Sequence, residues 1–316
     1  MKAVIFFSGL AGLILFGPPV IKPLFHKHEV SVIVHEIKHE IEAEIQEELK
    51  HEFDHQSWDS QDRCRYEAER TASSSGSVDA LRLTAGSGFL EVVGVEGLRE
   101  VRAVARACAS HEEFLDDLLL LPDMAGNTFI LETHYPDFSG WRGGNRYARL
   151  DLRVEFPAGL AADIEDGSGE ISISDLGSLM LDDGSGEVVI NGIRGDLTID
   201  DGSGELEIRG VSGTVSLDDG SGEIVLVDVG SDVMIDDSSG EIEVRGVGGS
   251  IELRDSSGEI DVQDVIGNVR VLSDSSGDIQ VEGVGGDFIV DRDGSGSIQH
   301  EAVQGTVDIP KKKGRR

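Results

Sequence analysis

The chain has 316 residues, of which 41 are glycine and only 5% aromatic, and 61 acidic against 27 basic residues leave it a net charge of −34. That length can support a large core, but the composition suits a narrow body filled with Val, Ile and Leu better than a globular enzyme. The charge argues against nucleic acid and against an anionic membrane surface as partners of the body of the protein.

Residues 1–25 read as an export segment. Lys2 precedes an uncharged run, Ala3 to Ile21, with Pro18 and Pro19 near its end. The run fits either a cleaved signal peptide or an uncleaved signal anchor, and both place the rest of the chain outside the cytoplasmic membrane, with membrane contact through this segment alone. Residues 26–57 follow as a His/Glu-rich stalk. Within 29–55, Ile33, Ile37, Ile41, Ile45, Leu49 and Phe53 recur every four residues, the spacing of an amphipathic helix. The stalk contains His35-Glu36-Ile37-Lys38-His39, which has the form of the H-E-x-x-H zinc-protease pattern. That chemistry also needs a third ligand and a cleft. In a segment where His and Glu are simply frequent, a solvated stalk is the better account.

Residues 58–160 are expected to hold degenerate first coils and irregular β structure. Leu81 to Gly94 places Gly-Ser-Gly before an alternating strand, so that coiling starts near residue 64. Val101 to Cys108 alternates in the same way, and Phe129–His134 and Ala148–Phe156 are further strands. Cys64 and Cys108 both fall in strand-like sequence; an oxidising compartment would join them across adjacent strands, and the alternative is two buried thiols. Between the last two strands, Pro136 to Tyr147 forms a long loop carrying Trp141, Arg142, Arg146 and Tyr147. Exposed aromatic and Arg side chains are typical of recognition surfaces, which makes these four the candidate ligand-binding residues. The alternative is that Trp141 folds back over the end of the body.

From residue 161 to 310 one sentence repeats. Asp-x-Ser-Gly ends at Gly169, Gly186, Gly204, Gly222, Gly240, Gly258, Gly277 and Gly296, in steps of 17, 18, 18, 18, 18, 19 and 19 residues. Aligned on that glycine, five positions are almost always aliphatic, as in Ile242, Val244, Val247, Ile251 and Leu253. Each half-repeat alternates apolar and polar residues, the mark of short strands with one buried face. One repeat cannot bury that face; stacked repeats can. The fold expected is therefore all-β: a single-stranded parallel β-solenoid of about 18-residue coils, with five dry columns and a length of roughly 40 Å at ~4.8 Å per coil. His300 is the one break in the columns, at the terminal coil.

The repeated Asp and Ser suit turn chemistry, because Asp accepts backbone N–H bonds two residues on and Gly supplies the left-handed conformation. Asp-x-Ser-x-Glu also offers oxygens at alternate positions, which leaves a Ca²⁺ ladder as a second account; otherwise no cofactor is expected. The chain closes with Pro310 and the basic tail 311–316, which blunts the last strand edge.

Asp151 to Leu160, followed by Asp-Gly-Ser-Gly-Glu-Ile coils, resembles the bacterial putative-adhesin family of β-strand-repeat proteins. Arg63 to Arg70 and Arg106 to Ser110 are similar to exported members of it, so the resemblance spans about residues 62–310. It implies a parallel β-helix in the cell envelope, of largely unassigned function. The expected location is the periplasm or cell envelope, and the expected partner an envelope component, a surface glycan or a protein. It carries no catalytic signature. A polysaccharide-cleaving β-helix needs acid and base groups at one cleft, whereas these carboxylates recur in every coil, so the expected role is non-enzymatic scaffolding or adhesion. Self-assembly through the ends is a further alternative.

Overall fold

A computed structural model of the chain describes residues 64–74, 76–139 and 146–310. The export segment, the stalk with its H-E-x-x-H pattern, Trp141, Arg142 and the basic tail lie outside the described residues.

The described chain is a parallel β-solenoid. Its strands form two 12-stranded sheets joined edge to edge by turns. The regular part starts with β8 (Ala161–Asp166) and β9 (Ile171–Ser174), continues with β10 (Leu179–Asp183) and β11 (Gly186–Ile193), and ends with β22 (Phe288–Val290), β23 (Ile298–Glu301) and β24 (Val307–Asp308). Even-numbered strands from β8 on join sheet B and odd-numbered strands from β9 on join sheet A. Equivalent residues of successive coils pair in register, as in Ile190 with Ile208 and Leu197 with Val215. The five aliphatic columns form the interior, and Ile190, Ile208, Leu226, Val244 and Val262 are fully buried. Where the repeat lengthens to 19 residues, the pairing register shifts between Leu253 and Arg254, so the extra residue is taken up as a bulge and the columns stay aligned.

Two details of the turns explain the repeat's punctuation. Gly204 has φ +154°, and a Cβ there would lie 1.6 Å from the carbonyl oxygen of Gly186 in the coil before. No side chain fits, which is why this glycine returns in every copy. At the opposite corner, side-chain staples run from coil to coil. Asp196 Oδ1 accepts from the Thr214 N–H at 2.9 Å, Asp232 Oδ1 from the Ser250 N–H at 2.8 Å and Asp287 Oδ1 from the Thr306 N–H at 2.7 Å.

The N-terminal end departs from the expected order. A coil does not begin at residue 64; β1 (Tyr66–Ser73) runs antiparallel to β4 (Arg102–Ala109). The first true coil is β2 (Ala80–Thr84) with β3 (Leu90–Val95), and it stacks directly on β8 and β9. The hairpin strands β5 (Leu119–Ala125) and β6 (Thr128–His134), then β7 (Ala148–Pro157), are added outside it. β6 pairs with β2, and β7 slots between β3 and β4. Sheet A therefore opens with β1, β4, β7 and β3, and its two outermost strands form an antiparallel cap over the parallel stack. A 3-10 helix at Glu112–Asp117 packs Phe114 against this cap.

At the other end, His300 stands in register with Val281 and its ring centroid is 6.1 Å from that of Phe288. It is exposed, as expected of a column that ends in solvent.

Candidate functional site

Two features depart from a uniform rod, one at its N-terminal end and one running along its length. The N-terminal feature gathers around the 135–147 connection from β6 to β7. The Tyr135 hydroxyl both accepts from the Ser87 N–H at 3.0 Å and donates to the Ser87 carbonyl at 3.1 Å, fixing where the loop leaves. Pro136 is buried and Phe138 half-buried, with the Phe138 ring 5.1 Å from Phe114, which stacks edge-on 5.2 Å from His111.

The loop returns through Arg146 and Tyr147. Arg146 Nη1 donates to the Phe138 carbonyl at 2.7 Å, and its guanidinium lies 5.7 Å from the Phe138 ring centre. The Tyr147 N–H donates to Ser110 Oγ at 3.1 Å and the Tyr147 hydroxyl accepts from the Arg65 N–H at 3.1 Å, yet the residue stays 38% exposed. Cys64 and Cys108 are joined by a disulfide, Cα–Cα 5.5 Å, that ties the start of β1 to the end of β4 beside this loop. Of the four candidate ligand-binding residues, Arg146 lies against Phe138, while the adjacent Tyr147 is bonded to Ser110 and Arg65.

On the outer face of sheet A beside the loop lies an ion network that the sequence reading missed. Asp151, only 5% exposed, is flanked by Arg106 at 3.6 Å and Arg149 at 3.3 Å, and its Oδ1 accepts the Phe89 N–H at 3.2 Å. Arg153 reaches Glu91 at 3.5 Å and Glu155 at 3.8 Å. The signal for it was present: Arg102, Arg106, Arg149 and Arg153 each occupy the outward positions of an alternating strand. What alternation alone lacks is the pairing of β4 with β7 that makes them neighbours.

The second feature is a correction to the five-column interior: there is a sixth column, and it is aspartate. Asp183, Asp201, Asp219, Asp237, Asp255 and Asp274 are 1–3% exposed and Asp166 is 8% exposed. They face inward at the end of each sheet B strand, in register from coil to coil. The expected turn bond is present, with Oδ1 of Asp219, Asp237 and Asp255 accepting the N–H of Ser221, Ser239 and Ser257 at 3.2, 3.0 and 2.9 Å. The second oxygen is buried without a hydrogen-bond partner in every coil from Asp166 to Asp274. Such an arrangement is costly, since two ionised carboxylates about 5 Å apart repel by about 3 kcal/mol at the effective dielectric of a protein. Burial, then the charge of Asp183, pushes the Asp166 carboxyl up to about 7. Burial and then the charge of the preceding aspartate raise Asp201 and Asp219 to about 6. The glutamates that follow the glycine, as at Glu205, Glu223 and Glu241, are exposed, whereas the aspartates are buried. Among the described residues no group of three or more His, Cys, Asp or Glu is placed to hold a metal ion, and no helix is long and apolar enough to cross a membrane.

No family model matches the chain, and no curated protein matches it. Among crystal structures, it is similar to a putative lipid binding protein from Parabacteroides distasonis ATCC 8503, with TM-score 0.43 and 15% identity over 77% of this chain and 97% of that one. It is also similar to a putative adhesin from Parabacteroides merdae ATCC 43184, with TM-score 0.34 and 13% identity over 75% and 96%. A putative cell adhesion protein from Clostridium sporogenes ATCC 15579 gives TM-score 0.30 and 13% identity over 75% and 99%. The β-solenoid itself stands on the strand pairing of this chain.

Proposed function

We propose that this is an exported, non-enzymatic envelope protein in which an acidic solenoid serves as a rigid spacer and its N-terminal cap as the binding end, for a surface glycan or an envelope protein. One observation carries the reading: the chemistry of the coils is repetitive and the cap is not. Residues 161–310 contain a single aromatic residue, Phe288, and six arginines, whereas the shorter stretch 64–160 holds ten arginines and most of the aromatics. Aromatic and Arg side chains on a fixed scaffold are the usual anchors of recognition. Identical carboxylates in every coil offer no single place for an acid–base pair. The Cys64–Cys108 bond suits an oxidising compartment, in keeping with the hydrophobic export segment.

The test is binding of the full chain to arrays of glycans, peptidoglycan and envelope proteins. Residues 64–310 contain no lysine, so coupling through amines attaches the protein by segments outside the solenoid and leaves the cap free. Trp141→Ala and Tyr147→Ala are each expected to weaken a hit at least tenfold without changing the melting temperature of the coils. Binding that survives both substitutions would overturn the cap as the binding end, and silence across the arrays would move the role to scaffolding alone.

A further inference from the structure

We propose that the aspartate column from Asp166 to Asp274 is a proton-binding file, in which carboxyls of successive coils share protons inside the solenoid, so that the folded rod holds protons in mildly acidic surroundings, at about pH 5.5, that the unfolded chain releases.

The geometry leaves few other occupants. Each carboxyl presents an oxygen with no donor to a space lined by its neighbours and by the aliphatic interior. The backbone groups around it are committed: the Gly202 N–H goes to the Asp183 carbonyl and the Gly220 N–H to the Asp201 carbonyl, both at 2.9 Å. Asp183, Asp201 and Asp219 stand in register on adjacent strands, so their carboxyls follow one another at about 5 Å intervals. Two carboxylates cannot bond; a carboxylic acid beside a carboxylate forms one of the stronger hydrogen bonds available. A cation is a poorer fit, because the carboxyls stand in single file, one per coil, and never three together.

The surroundings favour the neutral form too. On the outer face of sheet B, Asp182 and Asp236 add negative charge beside Asp183 and Asp237. On the sheet A side, Glu205, Glu223 and Glu241 are exposed and point outward, and Arg254 is engaged with Asp236 and Glu252 on the surface. At the N-terminal end the file stops at Ala85, which occupies the Asp position of the first coil, with the Tyr135 hydroxyl alongside. At the other end Asp293 is half-exposed, so protons exchange with solvent there.

The sign follows from linkage. These carboxyls bind protons more tightly folded than unfolded, where Asp titrates near ~3.9. Their stabilisation is complete below that value and is lost as pH rises through about 6 to 7, the values reached by Asp201, Asp219 and Asp166. The rod is therefore tightest in mildly acidic surroundings, and raising the pH charges its interior along one edge.

The experiment compares wild type with an inner pair, Asp201→Asn and Asp237→Asn, and an outer pair, Asp200→Asn and Asp218→Asn, which removes the same charge from the surface. Infrared spectra of the folded protein at pH 5.5 should show the C=O stretch of protonated carboxylic acid, reduced in the inner pair and unchanged in the outer one. The melting temperature should fall between about pH 4 and 7 in wild type and in the outer pair, and fall less in the inner pair. Absence from folded wild type at pH 5.5 of an acid band stronger than that of the unfolded chain would overturn the proposal, and that arm does not depend on either variant folding. A band abolished by Ca²⁺ with a rise in melting temperature would also overturn it, assigning the file to a cation.

Discussion

Gly222→Ala is the sharpest test of how the coils are held together. Gly222 has φ +151°, and a Cβ added there would sit 1.4 Å from the Gly204 carbonyl oxygen. Such contacts are essentially never below 3.0 Å, so the two coils must part locally by at least 1.6 Å, the difference between those values. The bonds that cross this line, Gly204 N–H to the Ser221 carbonyl at 2.9 Å and Leu206 N–H to the Glu223 carbonyl at 2.8 Å, do not survive that displacement. Each lost bond that leaves a buried group unsatisfied costs about 1–3 kcal/mol, and the backbone conformation adds about 1–3 kcal/mol for a non-glycine residue. The sum is about 3–9 kcal/mol, concentrated at one coil interface because the array is stabilised by nearest neighbours. Gly97→Ala is the control. Its φ is +80° but nothing lies within 4 Å of the new Cβ, so only the conformational cost of about 1–2 kcal/mol remains. Urea unfolding followed by circular dichroism measures both, and hydrogen exchange locates the loss. Equal midpoints for the two variants would refute the claim that close stacking, rather than backbone angle, dictates the repeated glycine.

Three further outcomes follow from the packing. Leu226→Ala, fully buried between Ile208 and Val244, should cost about 2–5 kcal/mol in urea unfolding. Cys108→Ser should lower the unfolding free energy of the cap by up to about 4 kcal/mol for a sequence separation of 44 residues, and adding reductant to wild type should reproduce the loss. Asp151→Ala removes a carboxylate that Arg106 and Arg149 share and the buried acceptor of the Phe89 N–H, and should cost about 1–3 kcal/mol in thermal melts.

Much of this architecture was legible in one dimension because the solenoid is nearly one-dimensional. A period near 18 residues and an alternation of period two fix which residues face inward along a strand, and stacking follows because one coil cannot bury its own face. The strands at Phe129–His134 and Ala148–Phe156 were visible for the same reason, and the structure extends each by a single residue, to Thr128 and to Pro157. The aspartate column was visible as a repeat but not as an interior. A residue at the corner where sheet B turns into sheet A can point either way, and only the closure of the turn around Gly204 and its equivalents aims Asp201 and its neighbours inward. The cap was the least legible part. Alternation in Arg102–Ala109 and Ala148–Pro157 says that both are strands, but not that β7 enters between β3 and β4 and brings Arg106, Arg149 and Asp151 together. The sequence by itself determined the repeat, the dry columns and the need for glycine at the turn, all set by local periodicity and steric limits. Strand order at the N-terminal end, the inward turn of the carboxyls and the ion network around Asp151 were decided by the tertiary structure, because each depends on which distant segment becomes a neighbour.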